Sequence, residues 1–271
     1  NFNTVVGDEA GTAITTGDGN SLVGKDAGRL ITTGQYNTTV GFDSLENTTT
    51  ANDNTAMGYY SLQANTTGAS NAAFGRQSLA SNTTASNNTA VGYFSLAANT
   101  TGALNTGLGR SSLLSNTTGG GNVGVGGYAL SNNTTGGSNI GIGQQALNAN
   151  TTATGNTAVG HQSLYANTTG AENVAVGALA LDANTTAGGN SAVGKSALGA
   201  NTTANNNVAL GLQTLETNTT GTQNTALGNY ALNNSTTASN NTAVGYSALI
   251  ANTTGAQQVA VGGSAMAANT T

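Results

Sequence analysis

The chain contains no cysteine, no proline and no tryptophan, and its 271 residues include only five basic and ten acidic side chains. Without cysteine there is neither a disulfide scaffold nor a thiolate metal site. The basic residues are Lys25, Arg29, Arg76, Arg110 and Lys195, and the net charge is −5. Nucleic-acid binding needs Lys and Arg along a face, so that class of partner is excluded. No apolar run approaches the roughly 20 residues of a membrane-spanning helix. With 6% charged residues, the surface must be wetted mainly by Asn, Thr, Ser and Gln. No signal peptide opens the chain, and Asn1 begins in mid-pattern, which reads as a processed or excised piece of something longer.

What the chain does contain is one phrase repeated. NTAVGYFSLAANTTGAL at residues 88–104 is followed by NTGLGRSSLLSNTT at 105–118. The glycine of each NTAVG-like block recurs every 17 residues from Gly7 to Gly262, giving sixteen turns with no insertion or deletion. A fixed short period is the mark of a solenoid, whose repeats bury their apolar side against neighbouring repeats. Numbered from its Asn, the unit reads Asn, Thr, Ala, apolar, Gly, two variable, small, Leu, two variable, Asn, Thr, Thr, Gly or Ala, two variable. Mid-block Gly and β-branched Thr beside Asn suit turns and strands and are poor in helix interiors. The expected fold is all-β: a parallel β-solenoid, or β-roll, of sixteen 17-residue turns forming a single domain over residues 1–271, with little or no helix.

The fourth position is apolar in every turn, from Val6 to Val261, and the ninth is Leu from Leu45 to Leu249. These two columns are the expected core. In the first two turns the ninth position is Gly11 and Gly28 while the twelfth becomes Ile14 and Ile31, so both positions should point into one interior. The usual Asn of the twelfth position, as in Asn65, Asn99 and Asn167, is then expected to form a partly buried ladder. Alternation along a strand puts the small third-position residues, Ala90 or Gly107, on the outer face. Such a face permits close approach of another surface, and the thin core favours a homo-oligomer of three chains side by side.

The unit N-T-A-V-G-Y-x-[AS]-L-x-x-N-T-T-G, as in Asn88–Gly102 and Asn241–Gly255, resembles repeats of phage and bacterial tail-fibre-like proteins, often found ahead of an endosialidase-type chaperone domain. That resemblance covers essentially the whole chain. The NTAVG core alone is also similar to the head repeats of YadA-like trimeric autotransporter adhesins. The second resemblance implies a left-handed parallel β-roll in a homotrimer, although the adhesin unit is shorter.

Candidate sites for chemistry are few. His161, the lone histidine, sits at a variable position also occupied by Tyr93, Arg110 and Gln144, and reads as a surface residue. Glu9, Asp26 and Asp43 share the seventh position of consecutive turns, so stacking would make a carboxylate column needing Lys25 or a cation such as Ca²⁺. No other cofactor is expected. Aromatic residues gather at the sixth and seventh positions: Tyr59, Tyr60, Tyr93, Phe94, Tyr128, Tyr230 and Tyr246 are candidates for surface display and for contact with sugars or a lateral partner. Asn65, Asn99, Asn116, Asn167 and Asn252 head N-T-T triplets that match the glycosylation sequon. The regular Thr pairs also resemble the threonine ranks of ice-binding solenoids.

The expected function is that of a non-catalytic extracellular fibre or filament subunit, on a cell or virion surface. It would assemble with itself end to end and side by side, and would display a repeated polar and aromatic surface, with surface glycans as possible ligands. Ice binding and carbohydrate adhesion are the alternatives. Because stacked turns share their core, Leu164→Asp should lower the melting temperature far more than His161→Ala. Equal, negligible losses in a thermal melt followed by circular dichroism would contradict this assignment of inside and outside.

Overall fold

In the computed structural model, which describes residues 2–271, the chain is an all-β, all-parallel solenoid with no helix among the described residues. It divides into two compact units, Asn1–Gly137 and Ser138–Thr271. The first carries β1 (Thr4–Val6) through β6 (Thr89–Val91) to β8 (Val123–Val125), and the second β9 (Ile140–Ile142) through β16 (Val259–Val261). Every strand is three residues long, and within each unit strands follow one another in chain order, paired in register one repeat apart. Thr89, Ala90 and Val91 of β6, for example, face Thr106, Gly107 and Leu108 of the next strand.

Pairing between coils extends well beyond the strands. Leu62 N–H donates to Ser78 C=O, Ala64 N–H to Ala80 C=O and Thr66 N–H to Thr83 C=O, so successive sides of the coil also stack as ladders. Corners come from residues forced to positive φ. The fifth-position glycine lies near φ +135° in Gly92, and a Cβ there would sit 2.5 Å from the carbonyl oxygen of Gly109 in the next coil, so no other residue fits. The seventh, ninth and seventeenth positions are left-handed as well, at φ 57° for Phe94, 52° for Leu96 and 63° for Leu104. A left-handed conformation costs a residue with a Cβ about 1–2 kcal/mol. Full burial of a Leu returns about 1.5–3 kcal/mol, so the ninth-position leucines can be held there. All thirteen, from Leu45 to Leu249, are completely buried.

The interior differs from the sequence expectation in one respect. The ninth column faces inward, but its partner is the third position, not the fourth. Ala90, Ala158 and Ala243 are completely buried, whereas the fourth-position Val23, Val91 and Val193 are 38%, 40% and 37% exposed. Neighbours along each strand do face opposite ways; the parity is the reverse of the one that placing the large apolar residue inside implies. The reason is width. A Cβ on third-position Gly124 would meet Ser112 Oγ at 2.6 Å and Leu113 Cγ at 3.2 Å, so the space opposite the leucine column is narrow and takes mostly Ala or Gly, with Thr39 the larger exception beside Leu45. Likewise the eighth-position Ser95, Ala146 and Ala197 are buried, not outward-facing. The first two coils satisfy the same volume by exchange: Leu22 occupies the third position, and a Cβ on Gly28 would be 2.8 Å from Ile31 Cδ1 and 3.0 Å from Leu22 Cδ2. Ninth and twelfth positions thus share one interior, as the Gly-for-Leu and Ile-for-Asn exchanges indicate.

Two buried asparagine ladders run beside this core. In the twelfth column Asn82 Nδ2 donates to Asn65 Oδ1 at 2.9 Å and Asn99 Nδ2 to Asn82 Oδ1 at 2.9 Å. In the first column Asn71 donates to Asn54 Oδ1 from both its backbone N–H, at 3.0 Å, and its Nδ2, at 3.2 Å. Both columns of one coil also bond a single carbonyl: Gly68 C=O accepts Asn54 Nδ2 at 3.0 Å and Asn65 Nδ2 at 2.9 Å. Position fifteen is therefore small and enclosed; a Cβ on Gly68 would sit 2.2 Å from Ala85 O.

The twelfth-column ladder is broken at Ser235, which stands where Asn would, and Asn218 Oδ1 and Ser235 Oγ are buried without hydrogen-bond partners. Asn252 Oδ1 is unpaired for a different reason: Asn269 Nδ2, its ladder donor, bonds Gln258 Oε1 at 3.1 Å instead. A buried polar group left unsatisfied costs about 1–3 kcal/mol. Ser235→Asn restores a donor to Asn218 Oδ1 and an acceptor for Asn252 Nδ2, and should stabilise the chain by about 1–2 kcal/mol in a denaturant titration. Unchanged or lower stability would mean that the space beside Ser235 cannot hold the longer amide.

Candidate functional site: an aromatic and arginine strip

Because side chains at one position of every coil stack one above another, a functional array arises wherever a variable position repeats a chemistry. In the first unit the sixth position reads Phe42, Tyr59, Arg76, Tyr93, Arg110 over five consecutive coils. Phe42 and Tyr59 are stacked at 5.5 Å between ring centroids with 15° between planes. The Arg76 guanidinium lies 5.6 Å from the Tyr59 centroid and 5.7 Å from that of Tyr93, lodged between the two rings. Seventh-position aromatics buttress the row: Tyr60 at 4.0 Å from Tyr59, Phe94 at 4.3 Å and edge-on to Tyr93, and Tyr128 under Arg110 at 5.4 Å. Tyr59 and Tyr93 are exposed, while Tyr60, Phe94 and Tyr128 are half-buried, as their left-handed corner geometry turns them along the surface.

The sequence-predicted aromatic set is thus brought together in part. Tyr59, Tyr60, Tyr93, Phe94 and Tyr128 belong to this strip. Tyr230 and Tyr246 form a separate edge-on pair at 5.9 Å in the second unit. Arg76 and Arg110 are members that sequence reasoning missed, although their sharing of the sixth position with the tyrosines was the available signal.

Three carboxylates of the first coils, Asp8, Asp26 and Glu46, are paired with cations of the chain itself. Lys25 Nζ lies 3.5 Å from Asp8 and 3.9 Å from Asp26, and Arg29 reaches Asp26 at 3.5 Å and Glu46 at 2.5 Å. Burial pushes the Glu46 carboxyl up, but hydrogen bonds from Arg29 and Gln63 outweigh it and leave it below the usual value. Asp43 is raised by burial and by the charges of Glu46 and Asp26. Its hydrogen-bond partner Tyr60 is pushed up to about 12, chiefly by the bond to Tyr59. Among the described residues no group of three His, Cys, Asp or Glu side chains is arranged to hold a metal ion, and the candidate column Glu9, Asp26, Asp43 does not converge on one point.

The sequon asparagines Asn65, Asn99, Asn116, Asn167 and Asn252 are all completely buried. Each donates Nδ2 to the carbonyl three residues on, at 2.9 Å in every case. A glycan on any of them would displace that bond and enter the core, so the folded chain offers no acceptor there. Of the Thr pairs, the first is turned to the backbone, Thr83 Oγ1 donating to Thr100 C=O at 3.2 Å, and the second is exposed. The pairs therefore supply one outward rank of threonine, not two. His161 is exposed.

No protein-family profile, no curated protein and no solved structure matches the chain.

A half-buried carboxylate in the second unit was not singled out from the sequence. Asp182 lines a shallow surface groove with Leu179, Gly199 and Glu216, and burial raises its pKa against the opposing hydrogen bonds from its own and Ala183's backbone N–H. A carboxyl whose folded pKa lies above its unfolded one binds a proton more tightly in the folded state, so its ionisation destabilises the fold once pH exceeds the usual value. Asp182→Asn should accordingly raise the melting temperature at neutral pH, with the gain vanishing near pH 3, where both states are protonated. An equal gain at both pH values would rule out the charge as its source.

Proposed function

We propose that the chain is a structural, non-catalytic module of an extracellular fibre or filament, akin to the shafts of tail fibres and adhesins that its repeat resembles. The observation that carries the reading is the outer face of the sheet. Its second and fourth columns hold Thr, Ser, Ala, Val, Ile, Leu, Met and Phe and no charged residue in any coil, and the fourth is exposed or half-exposed throughout each unit. Soluble monomers rarely leave a continuous apolar stripe of this kind uncovered. A second copy offers the complementary surface, since its columns repeat at the same spacing of about 4.8 Å. Each coil has one such face, which suits closed assembly about an axis, and a homotrimer is the arrangement we favour.

A non-catalytic role is supported by how the polar groups are used. Most of the buried ones, Asn above all, bond coil to coil in ladders, and among the described residues no three His, Cys, Asp or Glu side chains form a group that could hold a metal ion.

In sedimentation equilibrium the chain should behave as a particle of three times its 26.3 kDa mass. Val159→Lys with Val193→Lys, placed on the outer face, should release folded monomers, and electron microscopy should lose side-by-side assemblies. A monomeric parent chain at micromolar concentration would sink the reading.

A further inference from the structure

The strip in the first unit differs from the rest of the surface in charge as well as in aromatic content. No Asp or Glu occurs between Asp53 and Glu172, and within residues 54–137 the only charged side chains are Arg76 and Arg110. Ion pairs among the described residues use Lys25 and Arg29; Arg76 and Arg110 make none. In a chain of net charge −5, these coils form a locally positive island. Arg76 lies between the Tyr59 and Tyr93 rings and Arg110 over that of Tyr128. Both guanidinium groups lie against tyrosine rings, neither makes an ion pair among the described residues, and both residues are exposed, so each keeps N–H groups within reach of solvent. Alongside runs a shallow groove lined by Phe94 of the strip, by Ala80, Ala97 and Leu114, and by the polar Gln77, Ser81 and Ser115.

We infer that this strip binds an acidic polysaccharide extended along the solenoid axis, with an anionic group on every second sugar. Exposed aromatic rings make apolar contact with the C–H groups of pyranose rings, and a guanidinium takes a carboxylate in two parallel hydrogen bonds. Spacing selects the ligand. Arg76 and Arg110 are two coils apart, roughly 9.6 Å at about 4.8 Å per coil. Two β-linked sugars in an extended chain advance by about that length, so consecutive uronates meet Arg76 and Arg110 while the sugar between them covers Tyr93. Gln77, Ser81 and Ser115 line the groove where hydroxyl groups of the same chain would lie. Asp43, hydrogen-bonded to Tyr60, bounds the strip on one side and repels the ligand there, which places it over Tyr59 to Tyr128. The inference does not depend on self-assembly, because the strip lies on the sixth and seventh positions and the proposed contact face on the second and fourth.

The test is calorimetric titration of the full chain at low salt with a hyaluronan decasaccharide, whose charge falls on alternate sugars, beside neutral cellohexaose and a ten-nucleotide oligothymidylate. Hyaluronan should bind at least tenfold more tightly than either, and binding should weaken as salt rises. Tyr93→Ala, and Arg76→Gln with Arg110→Gln, should each reduce its affinity tenfold or more. Tyr246→Ala and Lys195→Gln, both in the second unit, should leave it unchanged. These side chains are on the surface, so unchanged circular dichroism and melting would confirm that each variant is folded. Absence of hyaluronan binding, equal binding of the oligothymidylate, or equal losses in the second-unit variants would overturn the inference. Sedimentation of the same variants reports separately on assembly.

Discussion

The structure depends on a carbonyl that, in nearly every coil with Asn at both ladder positions, serves two buried amides. Gly68 C=O receives Asn54 and Asn65 of its own coil, while the oxygens of those two side chains receive Asn71 and Asn82 of the next. Asn71 and Asn82 thereby each spend one hydrogen on closing their own coil and the other on the coil before it. An interior this narrow contains little hydrophobic area, so its polar groups must be satisfied one for one. Satisfaction of that kind demands that every coil have the same length. A single extra residue would carry one amide out of reach of its neighbour and leave several buried groups without partners. Uniform 17-residue spacing is the sequence record of this requirement.

Much of this was legible before the fold was known. Period, strand type, the inward leucines and the twelfth-position ladder all follow from residue chemistry at fixed spacing. The exchange of Gly28 and Ile31 for Leu and Asn identified two positions sharing one space. Parity of the strand was not legible, because three residues are too few to establish an alternation and the larger apolar side chain was placed inside by default. The inward column is the one of small residues: Ala90 is enclosed against the buried leucines, and Val91 is left 40% exposed. The first-position ladder was hidden for another reason. An asparagine that opens each repeat reads as a turn residue, and nothing in its spacing tells that its side chain is enclosed. The sequon match fails on the same ground, since a triplet can be perfect in sequence and inaccessible in the folded coil.

Of the candidate site, the aromatic enrichment at two neighbouring positions was visible and its completion by arginine was not. Arg76 and Arg110 look like isolated substitutions along the chain, yet stacking sets them in one row with Tyr59 and Tyr93. The solenoid separates two kinds of position. Those that bond coil to coil admit almost no variation, as the unpaired groups around Ser235 illustrate. Those at the corner between the strand and the leucine tolerate Asp, Lys, Phe, Tyr, Arg, Gln, His and Asn, and it is there that one stretch of the array can acquire a chemistry the others lack.

The register that places Thr89, Ala90 and Val91 opposite Thr106, Gly107 and Leu108 makes one coil a nearly exact substitute for the next. Length is consequently a free variable of a design whose cross-section is not. Unequal recombination between two copies of the repeat removes or adds whole coils, and each product presents the same ladders at the new junction. The reach of the array, and the distance between the groups it displays, can therefore change by genetic slippage without any side chain in the interior having to adapt.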